Sequence, residues 1–202
     1  LGMGISKAKG FVHANRMLGL DDKVVVLLGD GELQEGQIWE SLLSAANNKL
    51  SEIIVIVDHN KLQSDTLVSK VSDLGLLEEK FSAFGWHVSR CNGNNINELA
   101  ETFKNIREIN DKPKVIIADT IKGKGVSFME HTSIDSDIEF YKFHSGAPSS
   151  DAYYRASLEL VNLVNNMLIE KGLESIFLEK MFQVKSFLLL CLLLSLINGT
   201  IE

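Results

Sequence analysis

An aspartate stands between two glycines in VVVLLGDGELQEGQIWE, directly after an apolar run. It is Asp30, and Asn60 follows a second apolar run thirty residues later, in VIVDHNKLQSD. A carboxylate and an amide oxygen suit a hard cation such as Mg²⁺, which usually shares its coordination shell with waters and substrate phosphates. A single acid at the site also limits repulsion of a diphosphate, because Asn60 adds an oxygen without adding charge.

The two glycines beside Asp30 allow two interpretations. In the first, Gly29 and Gly31 make room for the backbone to approach a phosphate, and the following helix offers its free N–H groups to the same anion. In the second, Gly-Asp-Gly is only a tight turn, with Asp30 capping the helix and Glu32 as a favourable first-turn acid. The presence of Asn60 favours the first interpretation.

Four apolar, β-branched runs predict strands that are buried on both faces. They are Val24 to Leu28, Ile53 to Val57, Trp86 to Cys91 and Val115 to Ala118. Helical patterns run from about Glu32 to Asn48, from Leu74 to Phe84, from Ile96 to Ile109 and from Ala152 to Ile169. In the first of these helices the predicted buried stripe is Trp39, Leu42, Leu43 and Ala46.

This alternation predicts an α/β fold with an open, mainly parallel sheet and helices on both faces. Ligands of such sheets bind outside the carboxyl ends of the strands. Asp30 and Asn60 follow two successive strands, so we expect them to face one ligand at that edge.

Composition argues against several classes of function. The 20 basic and 27 acidic residues give a net charge of -7, and the basic residues are scattered, which argues against nucleic acid or an anionic membrane as partner. Cys91 and Cys191 lie far apart, so neither a disulfide framework nor a zinc site is indicated, and a cytoplasmic location fits. No export signal opens the chain at Leu1, which resembles a cut end.

We expect one domain over residues 1–170 and an atypical apolar tail over 171–202. Within the domain, the segment Lys122 to Pro148 has little periodicity and is predicted to be a long functional loop. The apolar run Phe187 to Ile197 is shorter than the about 20 residues that a membrane-spanning helix needs. From Met181 onward the tail resembles a misplaced signal sequence, and the alternative is a buried or partner-packed terminal helix.

The Gly-Asp-Gly sequence and the later Asn resemble the thiamine diphosphate motif. Within that superfamily, GDGELQEGQIWE and VDHNKLQSD are similar to transketolase, especially to the separately encoded amino-terminal subunit of split bacterial transketolases. The segments LGMGISKAKG, FGWHV and ADTIKGKGVSFME resemble further parts of that family, so the resemblance covers about residues 1–170. It implies the thiamine diphosphate-binding fold and its diphosphate-binding domain.

The resemblance also implies roles for residues around the motif. Asp30 and Asn60 would bind Mg²⁺ through their side chains, and Leu62 would bind it through its backbone carbonyl. Gly31 would contact the diphosphate through its N–H, and Glu32 belongs with it among the cofactor-binding residues.

Three further residues match family positions farther along the chain. Glu35 matches an acid that joins a carboxylate and water network between the two active sites of a dimer, although it could also be an exposed helix acid. Lys122 in IKGKG matches a basic residue near the cofactor phosphate, and its alternative is a solvated loop lysine. His144 in FHSGAP matches a histidine that lies over the cofactor, binds diphosphate and stabilises transition-state oxygens, with Ser145 where Gly is usual.

The activity implied is transfer of a two-carbon ketol unit from a ketose phosphate to an aldose phosphate, in which thiamine diphosphate carries the difficult step. The implied partners are sugar phosphates and a pyrimidine-binding domain or C-terminal transketolase subunit, in a dimer or heterotetramer, without nucleic acid or membrane. The family's pyrimidine-binding domain and its segment before Leu1 are missing, so we expect the chain alone to be inactive. Alternatives are a 1-deoxyxylulose-5-phosphate synthase, a 2-oxo acid dehydrogenase-type subunit, and a non-catalytic fragment or assembly module.

Overall fold

The structure is a computed structural model, and it describes residues 1–130 and 141–174. Seven of its elements form the first half of the described chain. They are α1 (Gly4–Met17), β1 (Val24–Gly29), a 3-10 helix (Gly31–Gln34), α2 (Gly36–Asn47), β2 (Ile53–His59), β3 (Leu62–Gln63) and β4 (Thr66–Leu67). Six more follow them. They are α3 (Val68–Val71), α4 (Leu77–Ala83), β5 (His87–Asn92), α5 (Ile96–Ile106), β6 (Lys114–Asp119) and α6 (Ser150–Glu170).

The main sheet is parallel throughout and confirms the predicted fold. Its strand order is β1-β2-β6-β5, and each predicted strand is present with its bounds shifted by no more than two residues at either end. The register aligns Gly29 with Asp58, and His59 with Asp119. Four parallel strands therefore end together at one carboxyl edge, where polar residues follow the apolar runs.

Helices cover both faces of this sheet, as predicted. The helices α1, α2 and α4 contribute buried residues to one large cluster that also contains alternate residues of β1, β2 and β6. Ile116 alternates with two of those residues and is fully buried outside that cluster. The helix α5 packs against β5 and β6, and its Ile106 is also buried outside the cluster.

The helix predicted from about Glu32 to Asn48 is two helices. Residues 31 to 34 form the 3-10 helix, and α2 begins at Gly36. Between them Glu35 is extended, with ψ of 119°, so it precedes α2 instead of standing inside its first turn. A single hydrophobic period could not reveal this break, because one extended residue changes the phase of the pattern without changing its composition.

The predicted buried stripe of α2 is displaced around the helix. Its buried residues are Ile38, Ser41, Leu42 and Ala45. Leu43 is 54% exposed, whereas Trp39 and Ala46 are only partly buried against the core. The prediction gave Leu43 too much weight because it is apolar, and it gave Ser41 too little because it is polar. Ser41 is buried and shares a 2.6 Å hydrogen bond with Ser6 of α1.

The antiparallel hairpin of β3 and β4 was not predicted. Leu62 pairs with Leu67 and Gln63 with Thr66, and the turn between them places Ser64 at a φ of 55°. Strands of two residues carry too little periodicity to be recognised in a sequence. The hairpin nevertheless matters, because it begins two residues after Asn60.

The described residues fall into two compact units. Residues 1–124 and 141–145 belong to one, and residues 125–130 and 146–174 belong to the other. In the second unit α6 confirms the helix predicted from Ala152 to Ile169, and Ser149 caps it by accepting the N–H of Ala152. Residues 175–202, which hold most of the predicted tail, lie outside the described residues. The domain boundary at residue 170 stays a prediction.

No helix among the described residues is both long enough and apolar enough to cross a membrane.

Candidate functional site

Asp30 and Asn60 are brought to the same edge of the sheet by the crossover from β1 to β2. These strands are neighbours, and the backbone N–H of Asp30 donates to the carbonyl of Asp58 at 3.1 Å. The expectation that the two residues follow adjacent parallel strands is therefore met. Helix α2, which packs against the sheet, provides the connection between them.

The Asp30 carboxylate is buried, with 1% of the residue exposed. Its Oδ1 accepts the N–H of Gly31 at 2.7 Å, and its Oδ2 accepts the N–H of Lys61. Burial raises the pKa of Asp30 despite these two donors, because an ionised carboxylate loses solvation that two amide hydrogens do not replace. Among the described residues no basic side chain forms an ion pair with this carboxylate, so a cation would stabilise it.

Asn60 turns the chain from β2 into the hairpin. Its Oδ1 accepts the N–H of Leu62 at 2.9 Å, a turn in which the amide holds its own backbone. Lys61, between them, has a φ of 67°, and this left-handed conformation directs its N–H to Asp30. The predicted cation ligands Asp30, Asn60 and Leu62 are thereby linked through the backbone of a three-residue turn.

Gly31 is required by close packing against the hairpin. A Cβ on residue 31 would lie 2.9 Å from Cγ and 3.0 Å from Cβ of Gln63. By contrast, a Cβ on Gly29 would meet nothing within 4 Å. The two glycines of the motif therefore have different roles: residue 31 accommodates Gln63, and residue 29 leaves open space at the end of β1.

Glu32 and Glu35 both lie against the start of the chain. The N–H of Gly2 donates to Oε1 of Glu32 at 2.7 Å. Gly2 has a φ of 78°, and a Cβ there would lie 2.8 Å from Cβ of Glu35. The two acids therefore position the segment that leads into α1, and their predicted roles in cofactor binding and in the dimer network stay predictions.

Lys122 and His144, predicted from the resemblance, lie together. Nζ of Lys122 is 3.1 Å from Nδ1 of His144 and 3.3 Å from the carbonyl of Ser64, and it lies 5.3 Å from the ring centre of Tyr141. An ammonium can only donate, so Nδ1 accepts and the ring carries its proton on Nε2. His144 then presents an N–H donor on its other side.

The Lys122 ammonium interacts electrostatically with Asp30 of the motif. Burial lowers the pKa of Lys122, and the carboxylates of Asp30, Asp58 and Asp65 act in the opposite direction. These three carboxylates therefore favour the charged form of the Lys122 ammonium.

A cavity of about 290 Å³ opens beside Asp30. Its lining also includes His59 and Lys61, and it continues along the hairpin end, α3 and the segment before α4. Nδ1 of His59 lies 2.7 Å from Oδ1 of Asp119, and this contact holds the ring at the wall of the cavity. Sequence reasoning did not select His59, Gln63 or Asp119, although Asp119 ends a strand in the same manner as the residues that it did select.

No group of three or more His, Cys, Asp or Glu side chains that could hold a metal occurs in residues 1–130 and 141–174. The predicted magnesium site does not need such a group, because it uses one carboxylate, one amide and one backbone carbonyl. The composition of the site therefore suits a hard cation that keeps part of its shell for water and phosphate.

The family model described as transketolase, thiamine diphosphate binding domain, matches residues 1–136. An apulose-4-phosphate transketolase subunit of Phocaeicola vulgatus is 35% identical over 167 residues, which cover 83% of this chain and 57% of that protein. The 6-deoxy-6-sulfo-D-fructose transketolase subunit SqwG of a Clostridium species is 40% identical over 130 residues, or 64% of this chain and 47% of that protein. The chain spans about half the length of these curated relatives.

A crystal structure of transketolase from Campylobacter jejuni aligns with a TM-score of 0.69 at 27% identity, and it covers 79% of this chain and 25% of the other. This similarity agrees with the parallel sheet of this chain. The chain belongs to the transketolase family and carries its thiamine diphosphate-binding domain.

Proposed function

We propose that this chain binds the diphosphate of thiamine diphosphate together with Mg²⁺, as one component of an enzyme that transfers a two-carbon ketol unit from a ketose phosphate to an aldose phosphate. The observation that carries the proposal is the buried Asp30 carboxylate, which lacks an ion pair among the described residues and follows β1 beside Asn60. Such a carboxylate is stabilised by a cation, and a cation in turn holds a diphosphate.

The residues fit a magnesium ion. Both oxygens of Asp30 and the Oδ1 of Asn60 each accept one backbone N–H, which leaves a second lone pair on each oxygen for a metal. These N–H bonds fix the orientation of the oxygens, so little side-chain entropy is lost when a cation binds. In the proposed site Leu62 contributes its carbonyl, and its buried side chain anchors the turn.

The diphosphate has two candidate contacts outside the motif. Lys122 supplies a positive charge near Asp30, and His144 offers its Nε2–H, because Nδ1 is occupied by Lys122. The N–H of Gly31 donates to Asp30 in this structure, so its contact with the diphosphate stays a prediction. A lysine and a neutral histidine donor together suit an anion whose charge is already partly neutralised by Mg²⁺.

When bound, thiamine diphosphate supplies the carbon nucleophile and electron sink of ketol transfer. The residues of this chain hold its diphosphate end and fix the position of the cofactor. The related proteins of Phocaeicola vulgatus and Clostridium are named as subunits, so we propose that the partner is a second, pyrimidine-binding subunit. Their names also cite a ketose with a phosphate and one with a sulfonate, which makes a sugar with a terminal anion the proposed substrate class.

Isothermal titration calorimetry tests the binding proposal. Thiamine diphosphate is titrated into the chain with MgCl₂ and with EDTA, and we expect heat of binding only with magnesium. Asp30→Ala should abolish it, whereas the matched control Asp21→Ala, at a side chain that is 89% exposed, should not change it. A folded wild type that shows no magnesium-dependent binding would refute the proposal for this chain.

An activity assay tests the enzyme proposal separately. The chain is mixed with the carboxy-terminal subunit of a split transketolase, and ketose phosphates, a sulfo-ketose and pyruvate are offered as donors. We expect turnover of ketoses only in the mixture. Turnover of pyruvate in place of ketoses would instead favour a synthase of the 1-deoxyxylulose-5-phosphate type.

A further inference from the structure

Gln63 carries a buried amide oxygen without a hydrogen-bond partner. Its Oε1 is the one buried side-chain nitrogen or oxygen within the described residues for which no partner exists. A buried acceptor without a donor destabilises a protein, so such atoms are rare in folded structures, and each one calls for an explanation such as a bound water or ion.

The side chain of Gln63 lies directly against the Gly-Asp-Gly turn. Its Cβ, Cγ and Cδ atoms all lie within 3.3 Å of the position that a Cβ on Gly31 would occupy. Replacement of that glycine by any larger residue would displace the glutamine. The motif thus accommodates Gln63 beside Asp30, although the amide contributes no hydrogen bond to the turn.

The hairpin holds Gln63 in this position. Leu62 and Leu67 form a buried cluster with Tyr141, and the N–H of Tyr141 donates to the carbonyl of Asp65 at 2.6 Å. On the other side of the turn, Lys122 donates to the carbonyl of Ser64. Contacts of the residues on both sides of Gln63 therefore hold its backbone in place.

Other glutamines of the same unit have ordinary structural contacts. Nε2 of Gln34 donates to the carbonyls of Val68 and Ser72, and Nε2 of Gln37 donates to the hydroxyl of Ser6. Gln63 differs from them because a leucine of similar size could fill its place without the loss of a hydrogen bond. Its amide therefore has no role in the unliganded fold that accounts for it.

We propose that Gln63 is a positioning residue of the cation site, whose Oε1 accepts a hydrogen bond from a water ligand of the Mg²⁺ held by Asp30 and Asn60. This inference rests on the proposed function. An acceptor oxygen repels phosphate oxygens but attracts the hydrogens of metal-bound water, and Mg²⁺ in proteins usually keeps several waters. The missing partner is then supplied by the hydrated cation.

The test compares Gln63→Leu with the matched substitution Gln37→Leu in the full chain. Thermal unfolding gives the midpoint without ligand and its shift with MgCl₂ and thiamine diphosphate. Calorimetry gives the Kd for MgCl₂ and the Kd for the cofactor. For Gln63→Leu we expect an unliganded midpoint that is equal or higher, and a Kd for magnesium weakened by about tenfold. For Gln37→Leu we expect the ligand-induced shift of wild type.

The outcomes separate this inference from the proposed function. Unchanged magnesium affinity in folded Gln63→Leu overturns the role of Gln63 while leaving the proposed function in place. Absence of binding in the wild type overturns both. If Gln63→Leu does not fold, Gln63→Met decides, because its unbranched side chain keeps the size without the amide oxygen: weakened magnesium affinity supports the inference, and unchanged affinity in a folded variant contradicts it.

Discussion

Nδ1 of His59 lies 2.7 Å from Oδ1 of Asp119, at the aligned ends of the adjacent strands β2 and β6. The same carboxylate binds Arg90 through both oxygens, at 2.6 and 2.8 Å, and Arg90 reaches Glu78 at 2.5 Å. The network connects His59, which lines the cavity, through Asp119 to Arg90 on β5 and Glu78 on α4. Asp119 therefore fixes the orientation of a ring that borders the candidate site.

Replacement of Asp119 by Asn should destabilise the protein by about 1 kcal/mol. An asparagine has one acceptor oxygen, so it cannot serve both His59 and the two nitrogens of Arg90. The effect is limited because the Asp119 side chain is 39% exposed and solvent screens the charges. Urea unfolding measures the change, with Asp111→Asn, at a side chain that is 73% exposed, as the control. An Asp119→Asn variant as stable as its control would contradict a stabilising role for the network.

Gly31→Ala should destabilise the unliganded protein, because the new methyl would overlap the Gln63 side chain at 2.9 Å. Overpacking of this kind costs about 1–3 kcal/mol. The substitution Gln63→Ala removes Cγ and Cδ but keeps Cβ, which lies 3.0 Å from the new methyl, so the double variant should recover part of the loss. A double-mutant cycle by urea unfolding measures this coupling. Additive effects of the two substitutions would show that Gly31 is required for another reason.

Glu52 makes stability depend on pH. Burial alone would raise the pKa of Glu52, but hydrogen bonds from Arg16 at 2.6 and 2.8 Å hold that pKa below its usual range. A carboxylate with a depressed pKa stabilises the fold above the unfolded value of about 4.3, and this contribution is lost as the pH falls through the folded pKa. The free energy of unfolding should therefore fall at acid pH, as Glu52 is protonated and its ion pair with Arg16 is lost.

Glu52→Gln should lower the free energy of unfolding by about 1 kcal/mol at pH 7, a figure reduced because Arg16 is 41% exposed. The difference from wild type should shrink as the pH falls below about 4, where Glu52 of the wild type becomes protonated. Urea unfolding at pH 7 and pH 3 measures it, with Glu101→Gln as an exposed control. A difference that is the same at both pH values would exclude a linkage through this carboxyl.

The strand ends could be predicted because apolar runs and their polar ends are local features of the sequence. Composition and residue order were enough to predict the strands at Val24 to Leu28 and Ile53 to Val57. The right-handed crossover between these parallel strands then placed Asp30 beside Asn60. The extended conformation of Glu35 could not be predicted in this manner, because it depends on how the 3-10 helix packs.

The contacts around the motif depend on tertiary structure. Gln63 lies in a strand of two residues, and its importance arises from contact with Gly31 across the chain. The link from Asp119 to His59 spans sixty residues and has no sequence pattern. The resemblance to transketolase supplied Lys122 and His144, and the structure added the direct contact between them and the tautomer that it fixes.

Lys122→Met should weaken binding of thiamine diphosphate without weakening binding of magnesium alone. The ammonium faces the diphosphate in the proposed site, and a charge-assisted contact to phosphate of this kind contributes about tenfold in Kd or more. The free energy of unfolding of the unliganded protein should change little. Burial lowers the pKa of Lys122, so burying its charged form is unfavourable, and loss of that charge removes an unfavourable contribution. Met keeps the apolar stem beside Tyr141.

Calorimetry at low and high salt distinguishes this role from a general electrostatic effect. Wild type should lose cofactor affinity with added salt more steeply than Lys122→Met, since the variant lacks the screened charge. Lys7→Met, at an exposed position on α1, is the matched control and should behave as wild type. Equal cofactor affinities for Lys122→Met and Lys7→Met would place Lys122 outside the diphosphate site and leave Tyr141, Ser64 and His144 as its structural partners.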